Sequence, residues 1–314
     1  MKKFLILISV LAVLLLLWWL LGRRESARQE ADVPPIATRV DTNTVNRIVL
    51  SRYNEAPLVF EKDAGGFWNM TGPLADRANA NLVDQLEKGL AQMKFVNKIS
   101  ERAAQQAAFE IDDVSGARVQ AYADSQLQAD LYLGKLTPDR QHVYARLAGS
   151  DVVYSATVGG VLSAMRTRDR DSFRNHEIMD RDPSSFDSVD VKAGSYAYRL
   201  VRVDSASWSV RIGSSAARPA STPVVNGFLG ALGRMRASGF RPDSVSVDWS
   251  RSDVVITAWL LGESEVRLEM LPAPEARCWV RSSDRKYDFS AFESVYKTFN
   301  RDPKELLATA PQGS

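Results

Sequence analysis

The apolar pattern changes period along the chain. From Phe4 to Leu21 (FLILISVLAVLLLLWWLL) it is continuous: eighteen residues with no charge and one hydroxyl, Ser9. As a helix this run measures about 27 Å, enough for a hydrocarbon core. Trp18 and Trp19 stand at its distal end, where indole rings favour the headgroup interface, and Gly22-Arg23-Arg24 stops it. The pattern predicts an uncleaved membrane anchor over residues 1–24. A cleaved signal peptide is the competing reading, but its apolar region is usually about 7–15 residues and ends in small side chains, not Trp-Trp-Leu-Leu. Lys2 and Lys3 on one side face Arg23, Arg24 and Arg28 on the other, so flanking charge does not fix the orientation. The short tail before the apolar run favours a signal anchor with the body outside the cytoplasm.

Residues 25–40 are polar and carry Pro34-Pro35, the pattern of a juxtamembrane linker. Beyond them the apolar positions fall in short runs rich in β-branched and aromatic residues. VNRIVLSRY (45–53), PLVFEK (57–62) and GGFWNM (65–70) predict three strands, with a hairpin turn at Gly65-Gly66. From Asn79 to Phe95 the period is helical, with Leu82, Leu86, Leu90 and Met93 on one face. The same order then recurs. FDSVDVKAG (186–194), YAYRLVRVD (196–204) and SWSVRI (207–212) are followed by a helical pattern over 222–236, with Val225, Phe228, Leu229, Leu232 and Met235 on one face. Trp68 and Trp208 hold equivalent places before the two helices.

The second part of each copy also matches. ARVQAYAD, LQADLYLGK, HVYARLA and DVVYSAT precede a short helix at 158–166; DVVITAWLLG, SEVRLEMLP, ARCWVRSS and KYDFSA precede one at 291–299. VYAR (143–146) falls in register with CWVR (278–281), and Tyr154 with Tyr287. The extra stretch 100–116 in the first copy reads as one helix plus a loop. These patterns predict an α+β protein: an N-terminal transmembrane helix followed by two related, mainly antiparallel α+β domains forming an internal repeat. The expected domains are 41–178 and 186–307, joined by a connector at 179–185 and followed by a tail at 308–314.

Composition narrows the chemistry. The 314 residues carry a net charge of +2, too balanced for a nucleic-acid-binding protein that works through a basic surface. One cysteine, Cys278, excludes an intramolecular disulfide and a Cys-based zinc site, and only two histidines, His142 and His176, are present.

The strand DTNTVNRIVLSR, the stretch PLVFEKDAGGFWNMTGPL, the amphipathic helix after it and LGKLTPDRQHVYARLAGSDVVYSATVGGVLSAM together resemble the bacterial domain of unknown function 4340 family. The resemblance covers about 41–178; the second copy is more diverged. It implies a membrane-anchored, envelope-side protein of the kind encoded beside gliding-motility-type ABC transporters, with their ATPase, permease and auxiliary extracytoplasmic subunit. No catalytic residues are assigned in the family, so none carries over.

The motifs fit a non-catalytic role. No GxxxxGK[ST] loop occurs, and the glycines of GFLGALGRM (227–235) read as close helix packing. No GxSxG occurs. His142 reads as an exposed strand-edge residue, and His176 lies in the charged stretch RTRDRDSFRNHEIMDRD (166–182). The acids there lack the glycine and final glutamate of an EF-hand, so the stretch reads as a salt-bridged, solvated link. Trp68 and Trp208 are either carbohydrate-stacking platforms or core; recurrence at one fold position favours core. Trp249, Trp259 and Trp279 follow the same logic. Cys278 reads as a buried apolar side chain.

The expectation is therefore a non-enzymatic envelope protein, anchored once in the inner (cytoplasmic) membrane with its body on the periplasmic or extracytoplasmic side. It would be an accessory or substrate-contacting component of an ABC-type transport system, meeting the permease or an auxiliary subunit, with no cofactor, no metal and no nucleic acid. The alternative is an envelope hydrolase or glycan-binding protein that uses a cleft between the repeats.

Overall fold

A computed structural model describes residues 40–157, 168–262 and 265–308. The anchor residues Phe4, Trp18, Trp19 and Leu21, nearly all of the linker, and the helix expected at 158–166 lie outside the described residues. Among the described residues, no helix is long and apolar enough to cross a membrane. The chain divides into two units, Met1–Asn175 and His176–Ser314, and each is built on one antiparallel sheet.

The first sheet begins with β1 (Arg47–Ser51), β2 (Leu58–Lys62), β3 (Trp68–Gly72) and the short β4 (Asp76–Arg77). Helix α1 (Ala80–Gln92) follows, then β5 (Phe95–Ser100), β6 (Ala117–Ala123), β7 (Gln126–Leu136), β8 (His142–Leu147) and β9 (Val153–Thr157). Spatially the order is β4-β3-β2-β1-β6-β7-β8-β9-β5. Helix α1 therefore carries the chain from one edge of the sheet to the other. Its apolar stripe, with Leu82, Val83, Leu86 and Leu90 buried, covers the inward strand residues Ile48, Phe60, Met70, Val119 and Leu131.

The second sheet repeats this plan. It contains β10 (Phe186–Ala193), β11 (Tyr196–Arg202), β12 (Trp208–Ile212) and β13 (Arg218–Pro219), then α2 (Thr222–Gly233) and β14 (Gly239–Phe240). The chain continues through β15 (Val254–Leu260), β16 (Val266–Ala273), β17 (Arg277–Ser282), β18 (Phe289–Phe292) and α3 (Glu293–Phe299). The order β13-β12-β11-β10-β15-β16-β17-β18-β14 matches the first sheet strand for strand. Registers match as well. Ile48 lies between Phe60 and Ala121, as Val189 lies between Leu200 and Ala258. Val143 faces Ala156 and Cys278 faces Ala291, which puts VYAR and CWVR at corresponding positions.

Several details differ from the sequence expectation. Tyr154 corresponds to Phe289, since Ala145 faces Tyr154 where Val280 faces Phe289; Tyr287 lies two residues earlier, partly buried against the second core. The stretch 100–116 forms two single 3-10 turns, Ala103–Gln105 and Ala107–Phe109, in place of a helix. Helix α1 stops at Gln92 so that Phe95 can open β5, an edge strand with no apolar alternation to announce it: after Phe95 its residues are half-buried or exposed. Ile178 and Met179, in or beside the expected connector, are buried in the second core. Of the glycines in GFLGALGRM only Gly233 makes a close approach: a Cβ there would stand 2.3 Å from the Arg181 carbonyl, whereas Gly227 and Gly230 face open space. Trp259 and Trp279 point to the sheet face opposite the core, because they occupy the half-buried positions of strands whose alternate residues are buried. Trp249 is buried, but in a 3-10 turn rather than a strand.

Candidate functional site

Corresponding aromatic–cation pairs mark one place in each unit. Trp68 opens β3 directly opposite Lys62 at the end of β2, and Trp208 opens β12 opposite Arg202 at the end of β11. Cross-strand partners have Cβ atoms about 5 Å apart, so a long cationic side chain folds onto the neighbouring ring. The Lys62 ammonium lies 4.9 Å from the Trp68 ring centroid, and the Arg202 guanidinium 4.7 Å from that of Trp208. With one face covered by a cation and only 3% and 4% of their surface exposed, neither indole is an open stacking platform.

Helices α1 and α2 close over these pairs from matching starts. The backbone N–H of Asn79 donates to the Phe173 carbonyl at 2.7 Å, and that of Ser221 to the Leu306 carbonyl at 2.8 Å. Neighbouring Ala78 and Ala220 bridge to Arg174 and Leu307. Counting from Asn79 and Ser221, Leu86 corresponds to Phe228, Leu90 to Leu232, and Glu87 to Leu229.

That last pair separates the two sites. In the first unit the Glu87 carboxylate is buried at 5% exposure and accepts from both donors, the Lys62 ammonium at 2.9 Å and the Trp68 indole N–H at 3.3 Å. Lys62 also donates to the Thr42 carbonyl at 3.4 Å. A buried carboxylate is tolerable only with such partners. The site is closed by its own side chain.

The second unit lacks the carboxylate. Arg202 keeps the matching backbone contact, Nη2 to the Pro183 carbonyl at 3.5 Å, and adds Nη2 to the Ser184 carbonyl at 3.0 Å and Nε to that of Phe186 at 2.8 Å. Among the described residues, the second terminal nitrogen Nη1 and the Trp208 indole N–H have no acceptor. A recess of about 470 Å³ opens here, lined by Asp182, Arg202, Trp208, Thr222, Asn226 and Leu229 among others. Asp182 is engaged at its rim: its carboxylate accepts from the Ser184 hydroxyl at 2.6 Å and backbone N–H at 2.8 Å, bonds that lower its pKa.

Other polar clusters pair their charged groups with one another. Arg146 lies 3.8 Å over the Tyr132 ring and reaches Asp113 at 2.5 Å; the corresponding Arg281 lies 4.5 Å over the Trp249 ring and reaches Asp288 at 3.1 Å. Asp288 also accepts from Arg241 at 2.9 Å and from the Trp249 indole at 3.3 Å, which ties the segment before β15 to the sheet. His142 pairs with Asp139 at 3.0 Å, and His176 meets the Phe240 ring edge-on at 5.0 Å. In the expected salt-bridged link, Arg174 reaches Asp76 at 2.8 Å and Asp171 at 3.1 Å. Cys278 is fully buried, and burial pushes its thiol up to about 11. Among the described residues, no group of three or more His, Cys, Asp or Glu side chains is placed to share a metal ion.

The sequence points to both tryptophans and to the apolar face that carries Leu229, but not to Lys62, Glu87 or Arg202. The available signal was the exchange of glutamate for leucine at one helical position between two copies whose other inward residues stay apolar.

Among models of known protein families, the one described as "Domain of unknown function (DUF4340)" matches residues 68–249, from Trp68 in the first unit to Trp249 in the second. No curated protein and no solved structure matches the chain.

Proposed function

The chain belongs to the family of domain of unknown function 4340, and from that membership we propose that it works as a non-enzymatic, membrane-anchored envelope protein. In this reading Phe4–Leu21 is a single-pass anchor in the inner membrane, and the body stands on its periplasmic or extracytoplasmic side. The protein serves an ABC-type transport system as an accessory or substrate-contacting component that meets the permease or an auxiliary subunit. Its two sheets are copies of an internal repeat.

The observation that carries the reading is the contrast between the two tryptophan sites. The first is sealed by Glu87, as suits a scaffold. The second keeps the cation and the indole but leaves a recess of about 470 Å³, within the range of small-ligand sites. One copy is thus built to hold its shape and the other to hold a ligand.

The test uses the full chain in its native membrane, with a photo-crosslinking residue at Asn226 and a reporter after Ser314. The expected result is a reporter active in its export-dependent form and adducts with a permease or auxiliary transporter subunit. A reporter active only in the cytoplasm overturns the reading. So does an adduct pattern identical to that from Tyr53, an exposed residue of the first unit.

A further inference from the structure

We infer that the recess of the second unit binds the carboxylate of an external ligand between Arg202 and the Trp208 indole N–H, where the first unit places its own Glu87. The inference deepens the binding role proposed above, and its test does not depend on where the protein sits or which transporter it meets.

The first unit provides the template. There one carboxylate bridges two donors, taking the Lys62 ammonium on Oε1 and the Trp68 indole on Oε2. The second unit retains both donor positions on corresponding strand residues, with the cation again stacked on the indole. Its helix supplies Leu229 in place of the acceptor. The Trp208 ring is buried, yet its N–H has no acceptor among the described residues and opens to the recess instead of being sealed from water, so a group entering from outside can complete it. Arg202 is fixed by the carbonyls of Pro183, Ser184 and Phe186, so Nη1 is held in place before a ligand arrives. Such preorganisation lowers the ordering cost of binding.

Charge selects among anions. Asp182 sits on the recess wall, and its carboxylate repels a dianion more strongly than a singly charged group. A monoanionic carboxylate therefore suits the site better than phosphate. Asn226 and Thr222 add an amide and a hydroxyl to the lining, which fits a carboxylate carried on a polar body, either a sugar acid or an acidic side chain.

Calorimetric titration of the detergent-solubilised full chain tests this, with D-glucuronate and N-acetyl-glutamic acid α-amide as probes. Their controls are glucuronamide, N-acetyl-glutamine α-amide and inorganic phosphate. At least one carboxylate should bind, and its amide counterpart and phosphate should bind at least about tenfold more weakly, the factor carried by one charge-assisted hydrogen bond. The tighter of the two probes then tells which source the site prefers. Leu229→Glu, which installs the first unit's internal carboxylate, should abolish binding. Trp208→Phe and Arg202→Gln should each weaken it by about tenfold or more, and they read the site even if Leu229→Glu fails to fold. Equal binding of acid and amide, tighter binding of phosphate, no binding of either carboxylate, or unchanged binding in the folded variants overturns the inference.

Discussion

The Glu87 carboxylate lies 2.9 Å from the Lys62 ammonium, with side chains only 7% and 21% exposed. Removing one partner strands the other in a poorly solvated place. Glu87→Ala should therefore destabilise the first unit by about 3 kcal/mol, read as a lowered urea midpoint. Replacing both at once, Glu87→Leu with Lys62→Met, should recover much of that loss, because neither charge is left alone. A double variant no more stable than Glu87→Ala would show that the pair does not act as a unit.

Cys278 makes stability depend on pH in the alkaline range. Its thiol is raised by burial to about 11, against about 9 in the open chain. A group raised on folding contributes stability that is full below the unfolded value and is lost as pH climbs through the folded one. Stability should thus fall between about pH 9 and pH 11, by no more than about 3 kcal/mol from this group. Cys278→Val, which places there the residue found at the corresponding Val143, should fold and flatten that decline. Denaturation midpoints at pH 8, 9.5 and 11 would measure it.

Gly233 has a neighbour that Gly227 and Gly230 lack. A methyl at Gly233 meets the Arg181 carbonyl at 2.3 Å, a backbone atom that cannot simply swing aside. Gly233→Ala should cost about 1–3 kcal/mol through overpacking. Gly227→Ala and Gly230→Ala, inside α2 with nothing within 4 Å, should each stabilise by about 0.5–1 kcal/mol. Thermal melting of the three variants separates the cases, and a neutral Gly233→Ala would refute the close approach.

Asp288 gathers three donors while only 8% of its side chain is exposed. Asp288→Ala should release Arg241, Arg281 and the Trp249 indole together. The expected result is faster amide exchange confined to residues 241–253, with a stability loss of about 3 kcal/mol. Unchanged exchange in that segment would mean that its backbone bonds, not Asp288, hold it down.

What the sequence announces here is what depends on neighbours in the chain. The leucine stripe of α1 and the β-branched and aromatic runs of β1 to β3 are local, and both stand in the structure as read. Edge strand β5 is different: its partner β9 lies more than fifty residues away, and after Phe95 its residues carry no inward pattern. Trp259 and Trp279 read as core by analogy with Trp68 and Trp208, yet strand parity decides the face and puts them on the other side. Glu87 was the hardest to see. A glutamate beside a leucine stripe looks like solvent-facing helix until Lys62 and Trp68 are brought beneath it.

The transit of α1 across its sheet also sets a timetable for a chain emerging from the ribosome. Strands β1, β2 and β3 pair with immediate neighbours and can join as soon as Gly72 is out. Strand β5, delivered early to the far border, has nothing to join until β9 has been synthesised, and Asn79 at the head of α1 waits longer still for Phe173. For the span of those residues the nascent first unit carries an unpaired strand and an apolar helix face without a complete floor, the two features that invite association between unfinished chains.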